Sequence, residues 1–183
     1  LWLYLNKKTN LLKSKLKVLH IAPEQIFYRK FKKIIYWDYT TFDLKSPMAD
    51  IIGDITKLNF KNNTFDLIIC NHVLEHIIDD RTAMNEIYRV LKKDGIGILQ
   101  VPIDKCLEKT YEDNTLVSKK QRAEHFGQYD HVRVYGRDYK NRLEDSGFTV
   151  NLIDYTNEIK DDEISKYGLI KGELIPIVKK SIG

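Results

Sequence analysis

Hydrophobic positions follow two alternating periods through the first two thirds of the chain. Five short apolar runs predict buried strands, at residues 17–21, 35–44, 49–52, 66–71 and 97–102. Between the last two runs, Met84, Ile87, Tyr88 and Leu91 recur at the spacing of one helix face. Strands that alternate with helices are typical of an α/β fold with a parallel, doubly wound sheet.

The predicted helices have suitable residues at their ends. A short apolar helix is predicted within residues 1–12, and another begins at Pro23, because proline suits the first turn of a helix. Asp79 or Asp80 caps the helix after the fourth strand. Gly95 is predicted to end that helix in the left-handed conformation.

The last third of the chain has a weaker pattern. Residues 103–135 show no steady period, and a connection of that length is usually functional or mobile. A helix is predicted over residues 137–146, ended by Gly147, and the charged residues 160–163 are predicted to form an exposed loop. Two final strands are predicted, at residues 148–153 and 174–178.

Composition narrows the class of protein. A chain of 183 residues is long enough for one domain with its own core, and its net charge of +4 comes with scattered lysines rather than a basic face, so no nucleic-acid partner is expected. Cys70 and Cys106 are too few for a disulfide scaffold or an all-Cys zinc site, and they suit a reducing, cytoplasmic location. No apolar run could span a bilayer and no signal peptide is visible, so no membrane partner is expected. The chain starts at Leu1 without an initiator Met, which suggests a missing upstream segment.

The order of several motifs resembles a known family. These motifs are Val18-Leu19-His20-Ile21, Asp43, Gly53-Asp54-Ile55, Phe65-Asp66-Leu67-Ile68-Ile69, Val73-Leu74-Glu75-His76 and Arg89-Val90-Leu91-Lys92-Lys93-Asp94-Gly95. Together they resemble the class I S-adenosylmethionine-dependent methyltransferases, best the small-molecule branch with a "VLEH" sequence after the fourth strand.

The resemblance implies a Rossmann-like, seven-stranded sheet, mostly parallel with an antiparallel last strand and helices on both faces. It also implies a single domain over residues 1–183. Within it, residues 16–102 would form the cofactor-binding half, residues 103–136 a substrate-side lid, and residues 137–183 the C-terminal helix and strands.

The implied cofactor is S-adenosyl-L-methionine. Its expected contacts lie at the ends of the predicted strands: His20, Ala22, Pro23, Glu24, Asp43, Asp54, Ile55, Asn71 and His72. The family usually has an acidic residue and a glycine-rich turn in the first loop, where this chain has His20 and then Ala22-Pro23-Glu24. Glu24 is expected to pair with the cofactor's ammonium group, and the alternative is a solvated residue at a helix start.

Two aspartates are expected to hold the nucleoside part of the cofactor. Asp43 ends the second strand, where a carboxylate can accept ribose hydroxyls. Asp38 is a competitor for that role, and a turn or cap is the alternative for Asp43. By resemblance, Asp54 would bind the adenine amino group, and Ile55 would give a backbone N–H and an apolar wall. The alternative for Asp54 is an Asx turn.

Three histidines are candidates for catalysis: His72, His125 and His131. His72 follows the fourth strand with Asn71, at the edge where ligands bind in such sheets. His125 and His131 lie in the long connection and could act as a general base, because histidine titrates near neutral pH. The alternative for His131 is to pin that loop to the next helix, and for Arg133 this role is favoured.

A metal site is not expected. His72 and His76 are four residues apart, a spacing at which two histidines on a helix can bind a metal, but no third ligand is apparent in the sequence. Amino methylation is not inferred either, because Asn71 lacks the Pro-Pro-aromatic sequence that gives such a position its meaning.

The sequence therefore predicts an enzyme that transfers a methyl group from S-adenosylmethionine to the oxygen, nitrogen or carbon of a small molecule. One alternative is a degenerate methyltransferase fold that acts as a non-catalytic binding or assembly module. Another is a nicotinamide-dependent oxidoreductase, against which the missing G-x-G-x-x-G turn argues. The sequence does not determine the acceptor or the oligomeric state.

Overall fold

Seven strands form one mixed sheet in the computed structural model, which describes residues 1–180. The strands of this sheet are β1 (Leu16–Ile21), β2 (Trp37–Asp43), β3 (Ile51–Ile52), β4 (Phe65–Cys70), β5 (Leu91–Ile98), β8 (Phe148–Ile153) and β9 (Ile175–Lys180). Two short strands, β6 (Tyr111–Glu112) and β7 (Arg133–Val134), form a separate ribbon. The helices are α1 (Trp2–Lys8), α2 (Gln25–Phe31), α3 (Asp80–Val90), α4 (Lys119–Phe126), α5 (Tyr139–Asp145) and α6 (Asp161–Tyr167).

The strand order is β3-β2-β1-β4-β5-β9-β8. Strands β1 to β5 pair in parallel, whereas β9 pairs antiparallel with both β5 and β8. This arrangement confirms the sheet that the sequence predicts. The domain prediction extends to residue 183, and its last three residues lie outside the described part of the chain.

The order in which the chain adds strands to the sheet changes sides at β1. The chain builds outwards through β2 and β3, and then returns to place β4 on the other side of β1. In an open α/β sheet, this switch point opens a crevice at the carboxyl ends of the strands. Ile21 pairs with Cys70, so Ala22 and Asn71 leave the sheet at the same level.

Both faces of the sheet are covered, which explains why its central strands are continuous apolar runs. In β4, Ile68 packs into a cluster with Met84 of α3, while Leu67 packs into a second cluster with Leu5 of α1 and Phe31 of α2. Helices therefore lie on both faces, as predicted. Among residues 1–180, no helix has the length and apolar character needed to cross a bilayer.

The prediction for Gly95 was wrong. Helix α3 already ends at Val90, and Gly95 lies inside β5. The left-handed residue is Asp94, with φ of 61°. A Cβ at position 95 would lie 2.8 Å from the carbonyl oxygen of Lys92, so glycine is required there by close backbone approach.

Two further segments differ from the sequence prediction. The charged segment predicted as a loop at residues 160–163 enters α6, whose first turn carries Asp161, Asp162 and Glu163. Acidic side chains there interact favourably with the positive end of the helix dipole. The long connection contains α4, which begins with a capping box formed by Ser118 and Gln121.

Candidate functional site

The loop after β1 keeps a left-handed backbone without a glycine. Ala22 has φ of 46°, and its N–H donates to the carbonyl of Phe42 at 2.7 Å. A left-handed conformation costs a residue with a Cβ about 1–2 kcal/mol. Ala22 therefore adopts the conformation that glycine serves at such turns, despite its side chain.

The carboxylate of Glu24 is held from two sides. Its Oε2 lies 3.1 Å from Nε2 of His20, and its Oε1 accepts a hydrogen bond from Nδ2 of Asn71 at 3.2 Å. Partial burial raises the pKa of Glu24, but hydrogen bonds with His20, its own backbone N–H and Asn71 outweigh this and leave the pKa below its usual value. The side chain keeps 32% of its surface exposed, so the fixed negative charge remains accessible to a ligand.

His20 supports Glu24 from below. It is fully buried, and its Nδ1 lies 2.7 Å from the hydroxyl of Tyr39. Burial raises the pKa of Tyr39, so this hydroxyl stays protonated. His20 thus contacts Tyr39 with one ring nitrogen and Glu24 with the other, so it would act on a ligand only by positioning Glu24.

Asn71 presents an unpaired acceptor at the end of β4. It is 3% exposed, and among residues 1–180 its Oδ1 has no hydrogen-bond partner. A buried polar atom without a partner costs about 1–3 kcal/mol. A ligand that carries hydrogen-bond donors would satisfy this oxygen.

Asp43 ends β2 at the switch-point edge. Its Oδ1 accepts hydrogen bonds from the N–H groups of Lys45 and Ser46, both at 2.8 Å, which is the turn role expected as the alternative. Its Oδ2 makes no such bond to the described residues and remains available. Asp38 lies near the opposite end of β2, in register with Lys17, and does not reach this edge.

Asp54 forms the Asx turn that was its alternative role. Its Oδ1 accepts from both the N–H and the hydroxyl of Thr56 at 2.8 Å. The side chain is exposed, whereas Ile55 is 5% exposed and packs into the core. The loop after β3 therefore combines an exposed carboxylate with an apolar residue.

His72 lies next to Asn71 in a strained conformation. Its φ is 51°, and its N–H donates to the carbonyl of Gln100 at 2.8 Å. Its Nδ1 lies 3.3 Å from Oε1 of Glu75, and this interaction raises the pKa of the imidazole. Strained non-glycine residues cluster at functional sites, and the half-exposed ring of His72 fits that pattern.

His131 reaches the same place from the long connection. Its ring centroid lies 4.7 Å from that of His76, at 81°. Burial lowers the pKa of His131, and the charge of His76 lowers it further. Glu75, which is 2% exposed, completes this cluster and was not singled out from the sequence, although it is three residues after His72.

His125 and Arg133 have other partners. His125 is exposed on α4, and its Nδ1 lies 2.7 Å from the hydroxyl of Tyr111. Arg133 is 2% exposed and donates to the carbonyls of Leu74, Ile77 and Ile78, while its Nε donates to Glu112. Arg133 therefore pins the connection to the turn after β4, whereas the role favoured from the sequence was to pin it to the next helix.

A cavity of about 200 Å³ opens beside this cluster. Its lining comes from the turn after β4, the end of α4 and the segment around β7: Glu75, Pro102, Phe126, Gly127, Gln128, His131, Arg133 and Val134. Residues from the long connection thus contribute to the lining of this cavity, and the role of that connection as a lid stays a prediction.

A mostly parallel, seven-stranded sheet with one antiparallel strand and helices on both faces is the Rossmann-like fold of known methyltransferases. Residues 24–99 match the sequence profile of the family described as "Methyltransferase domain". This match, which spans less than half of the chain, and the sheet topology together support the recognition of a class I S-adenosylmethionine-dependent methyltransferase.

A curated relative supports this assignment. The ubiquinone/menaquinone biosynthesis C-methyltransferase UbiE of Ruegeria sp. (strain TM1040) is 30% identical over 108 residues, which are 48% of this chain and 43% of the relative. The chain spans less than half the length of the curated relatives it matches.

Solved structures share the fold. YcgJ from Bacillus subtilis superposes with a TM-score of 0.58 at 16% identity, covering 94% of this chain and 97% of YcgJ. The 1,6-didemethyltoxoflavin-N1-methyltransferase of Burkholderia thailandensis, solved with 1,6-didemethyltoxoflavin and S-adenosylhomocysteine, has a TM-score of 0.59 at 15% identity. That match covers 94% of this chain and 74% of the enzyme.

Proposed function

We propose that this chain transfers a methyl group from S-adenosyl-L-methionine to a small-molecule acceptor. The observation that carries the proposal is the meeting of Glu24 and Asn71 at the switch point, where a fixed carboxylate lies beside an unpaired amide oxygen. Two acceptors at this position suit a ligand with a positively charged donor group. The methyltransferase domain match agrees with that chemistry.

The methionine part of the cofactor fits these two residues. Its ammonium group has three N–H donors, which can reach the Glu24 carboxylate and Oδ1 of Asn71. An ionised carboxylate has about four acceptor positions, so Glu24 can accept this group while keeping its contacts with His20 and Asn71.

The nucleoside part fits the ends of β2 and β3. Oδ2 of Asp43 is available for a ribose hydroxyl, because the turn uses only Oδ1. The exposed carboxylate of Asp54 can accept from the adenine amino group, and Ile55, which is 5% exposed and packs into the core, can offer its backbone N–H. These roles retain the carboxylate contacts expected from the sequence. Asp43 and Asp54 would each serve a turn and also bind the ligand.

The acceptor site lies beside His72. The adjoining cavity of about 200 Å³ is smaller than the roughly 300–1,000 Å³ of typical ligand pockets, which favours a small acceptor. S-adenosylmethionine held by Glu24, Asn71, Asp43 and Asp54 would supply an electrophilic methyl group on its sulfonium. The protein's contribution is to orient the acceptor and exclude water, with His72 contacting the acceptor.

Calorimetric titration of the chain with S-adenosylmethionine, S-adenosylhomocysteine and NAD tests the cofactor. We expect saturable binding of the two sulfur compounds and none of NAD. Binding of NAD alone would instead indicate an oxidoreductase. No affinity for any of the three would leave the fold as a non-catalytic binding or assembly module.

The placement of His72 has its own test. The sequence places His72 among both the cofactor contacts and the catalytic candidates, and we assign its side chain to the acceptor. We therefore expect His72→Ala to bind S-adenosylhomocysteine about as tightly as the unchanged chain, because Glu24, Asn71, Asp43 and Asp54 carry the proposed side-chain contacts to the cofactor. The same variant should lose most methyl transfer, measured as S-adenosylhomocysteine release with a small-molecule extract of cells. Undiminished release by this variant would remove His72 from the acceptor site.

A further inference from the structure

Two imidazoles and a carboxylate converge at the turn that follows β4. Glu75, His76 and His131 each place one potential metal-ligating atom within 4.8 Å of the others. The two segments are fixed to each other by the backbone, since the N–H of Val132 donates to the carbonyl of Glu75 at 2.9 Å. The convergence thus does not depend on side-chain rotamers alone.

Glu75 carries an independent sign that something is bound. The residue is 2% exposed, and its Oε1 lies 3.3 Å from Nδ1 of His72. Its Oε2 is buried and has no hydrogen-bond partner among residues 1–180. A buried carboxylate oxygen without a partner is unfavourable, and a cation next to it would remove that cost.

The surroundings of His76 resemble the support of a metal ligand. Its Nδ1 lies 3.2 Å from the carbonyl oxygen and 3.6 Å from Oδ2 of Asp130. Metal-binding histidines are usually held in this way, with one ring nitrogen on a carbonyl or carboxylate and the other on the metal. Asp130 precedes His131 directly, so one short segment supplies both a ligand and this support.

We propose that Glu75, His76 and His131 bind a divalent transition-metal ion. Two histidines and one carboxylate are a donor set typical of Zn²⁺ and of Fe²⁺, Mn²⁺ or Co²⁺ sites, whereas Mg²⁺ and Ca²⁺ prefer oxygen ligands. Metal–ligand bonds of about 2.0–2.2 Å place neighbouring ligand atoms roughly 3.5 Å apart, so small side-chain rotations close the set. The proposal reverses the expectation from the sequence, in which only His72 and His76 stand at a metal-binding spacing.

The ion would face the acceptor cavity. Glu75 and His131 both line the cavity of about 200 Å³, and three protein ligands leave at least one coordination position open. We assign that position to an oxygen of the methyl acceptor, an assignment that rests on the proposed methyl-transfer function. The acceptor class is then a molecule with a hydroxyl or carboxylate oxygen that can bind a metal.

Metal binding can be measured without any activity. The chain is freed of metal with a chelator and titrated with Zn²⁺, Co²⁺, Mn²⁺ and Mg²⁺ by calorimetry, and the visible absorption of Co²⁺ reports its ligands. We expect one Zn²⁺ or Co²⁺ per chain and weak binding of Mg²⁺. Glu75→Gln, His76→Ala and His131→Ala should each weaken Zn²⁺ binding by at least about tenfold, the lower range for lost ligands and their support.

The control is His125→Ala, which removes an exposed histidine outside the cluster and should leave Zn²⁺ affinity unchanged. Circular dichroism establishes folding, and His131→Asn replaces any cluster variant that unfolds. Absence of stoichiometric binding, or equal binding by the cluster variants and the control, would overturn the metal site. S-adenosylhomocysteine titrated in parallel separates the two proposals, because its binding does not require the metal ligands.

Discussion

The side-chain amide of Asn71 donates to the carboxylate of Glu24 at 3.2 Å, across 47 residues of sequence. This hydrogen bond joins the loops that follow β1 and β4, the two strands between which the switch-point crevice opens. His20 holds the other carboxylate oxygen. Glu24 is therefore fixed in place before any ligand arrives, which reduces the ordering that binding requires.

Glu24→Gln is expected to weaken S-adenosylhomocysteine binding about tenfold or more, because a hydrogen bond to a charged group contributes about 1.5–3 kcal/mol. Calorimetry measures the affinity, and thermal unfolding establishes that the variant is folded. Glu108→Gln is the matched control, since Glu108 is 85% exposed and its ion pair within the described residues is with Arg137. Equal affinities for the two variants would exclude Glu24 from the cofactor site.

Substitution by glycine should change the free energy of unfolding in opposite directions at two alanines. Ala22→Gly removes the cost of a left-handed alanine, but glycine also has greater conformational freedom in the unfolded chain, which lowers stability. The net free energy of unfolding should rise by about 0–1 kcal/mol. Ala123→Gly, in the exposed part of α4, should lower it by about 0.5–1 kcal/mol. Urea unfolding measures both. A loss of stability in Ala22→Gly as large as in Ala123→Gly would contradict the strained turn.

Asp43→Asn should separate ligand binding from folding. Asparagine keeps an oxygen for the N–H groups of Lys45 and Ser46 but loses the charge offered to the ribose. We expect affinity for S-adenosylhomocysteine to fall about tenfold with little change in melting temperature. Asp38→Asn, in the same strand but at its other end, should change neither quantity. A change in melting temperature alone would show that Asp43 serves only the turn.

Arg133→Met should destabilise the fold strongly. It leaves the buried carboxylate of Asp80 with fewer cations and deprives the carbonyls of Leu74 and Ile78 of their donor. Removing one partner of a buried ion pair costs about 3–5 kcal/mol, measured here by urea unfolding. Arg137→Met, at a side chain that is 59% exposed, should stay within about 0.5 kcal/mol of the unchanged chain. Similar losses in both variants would refute the pinning role.

Glu112 should stabilise the fold only when it is ionised. Partial burial raises its pKa, but hydrogen bonds with Arg142 and Arg133 outweigh this and hold the pKa below its usual value. A lowered folded-state pKa means that the stabilisation is present above the unfolded pKa and is lost as the pH falls through the folded value. Glu112→Gln should therefore cost about 1 kcal/mol at neutral pH and almost nothing in acid. A cost independent of pH, measured by urea unfolding across that range, would refute this origin.

The sequence predicts the sheet well because its central strands are buried on both faces. Leu67, Ile68 and Ile69 are apolar in succession for that reason, and such runs are visible without a structure. The positions of Asp43 and Asn71 follow from this, since each comes at the end of such a run.

The parts that the sequence did not predict depend on long-range contacts. Gly95 resembled a helix cap, and only the shift in register between β4 and β5 shows that it meets the Lys92 carbonyl instead. The partnership of His131 with Glu75 joins segments that lie on either side of β5 and α4. The hydrophobic period of a segment does not predict such a contact, because it indicates which face of an element is buried and not which residues cover that face.

The position of β9 has a consequence for synthesis. It is the last of the nine strands among residues 1–180, yet it lies inside the sheet between β5 and β8. On the ribosome, both of those strands must wait with unpaired backbone groups until Ile175–Lys180 emerges, and unpaired edges invite association with other chains. The facing edges of β5 and β8 are thus covered only when translation has passed β9.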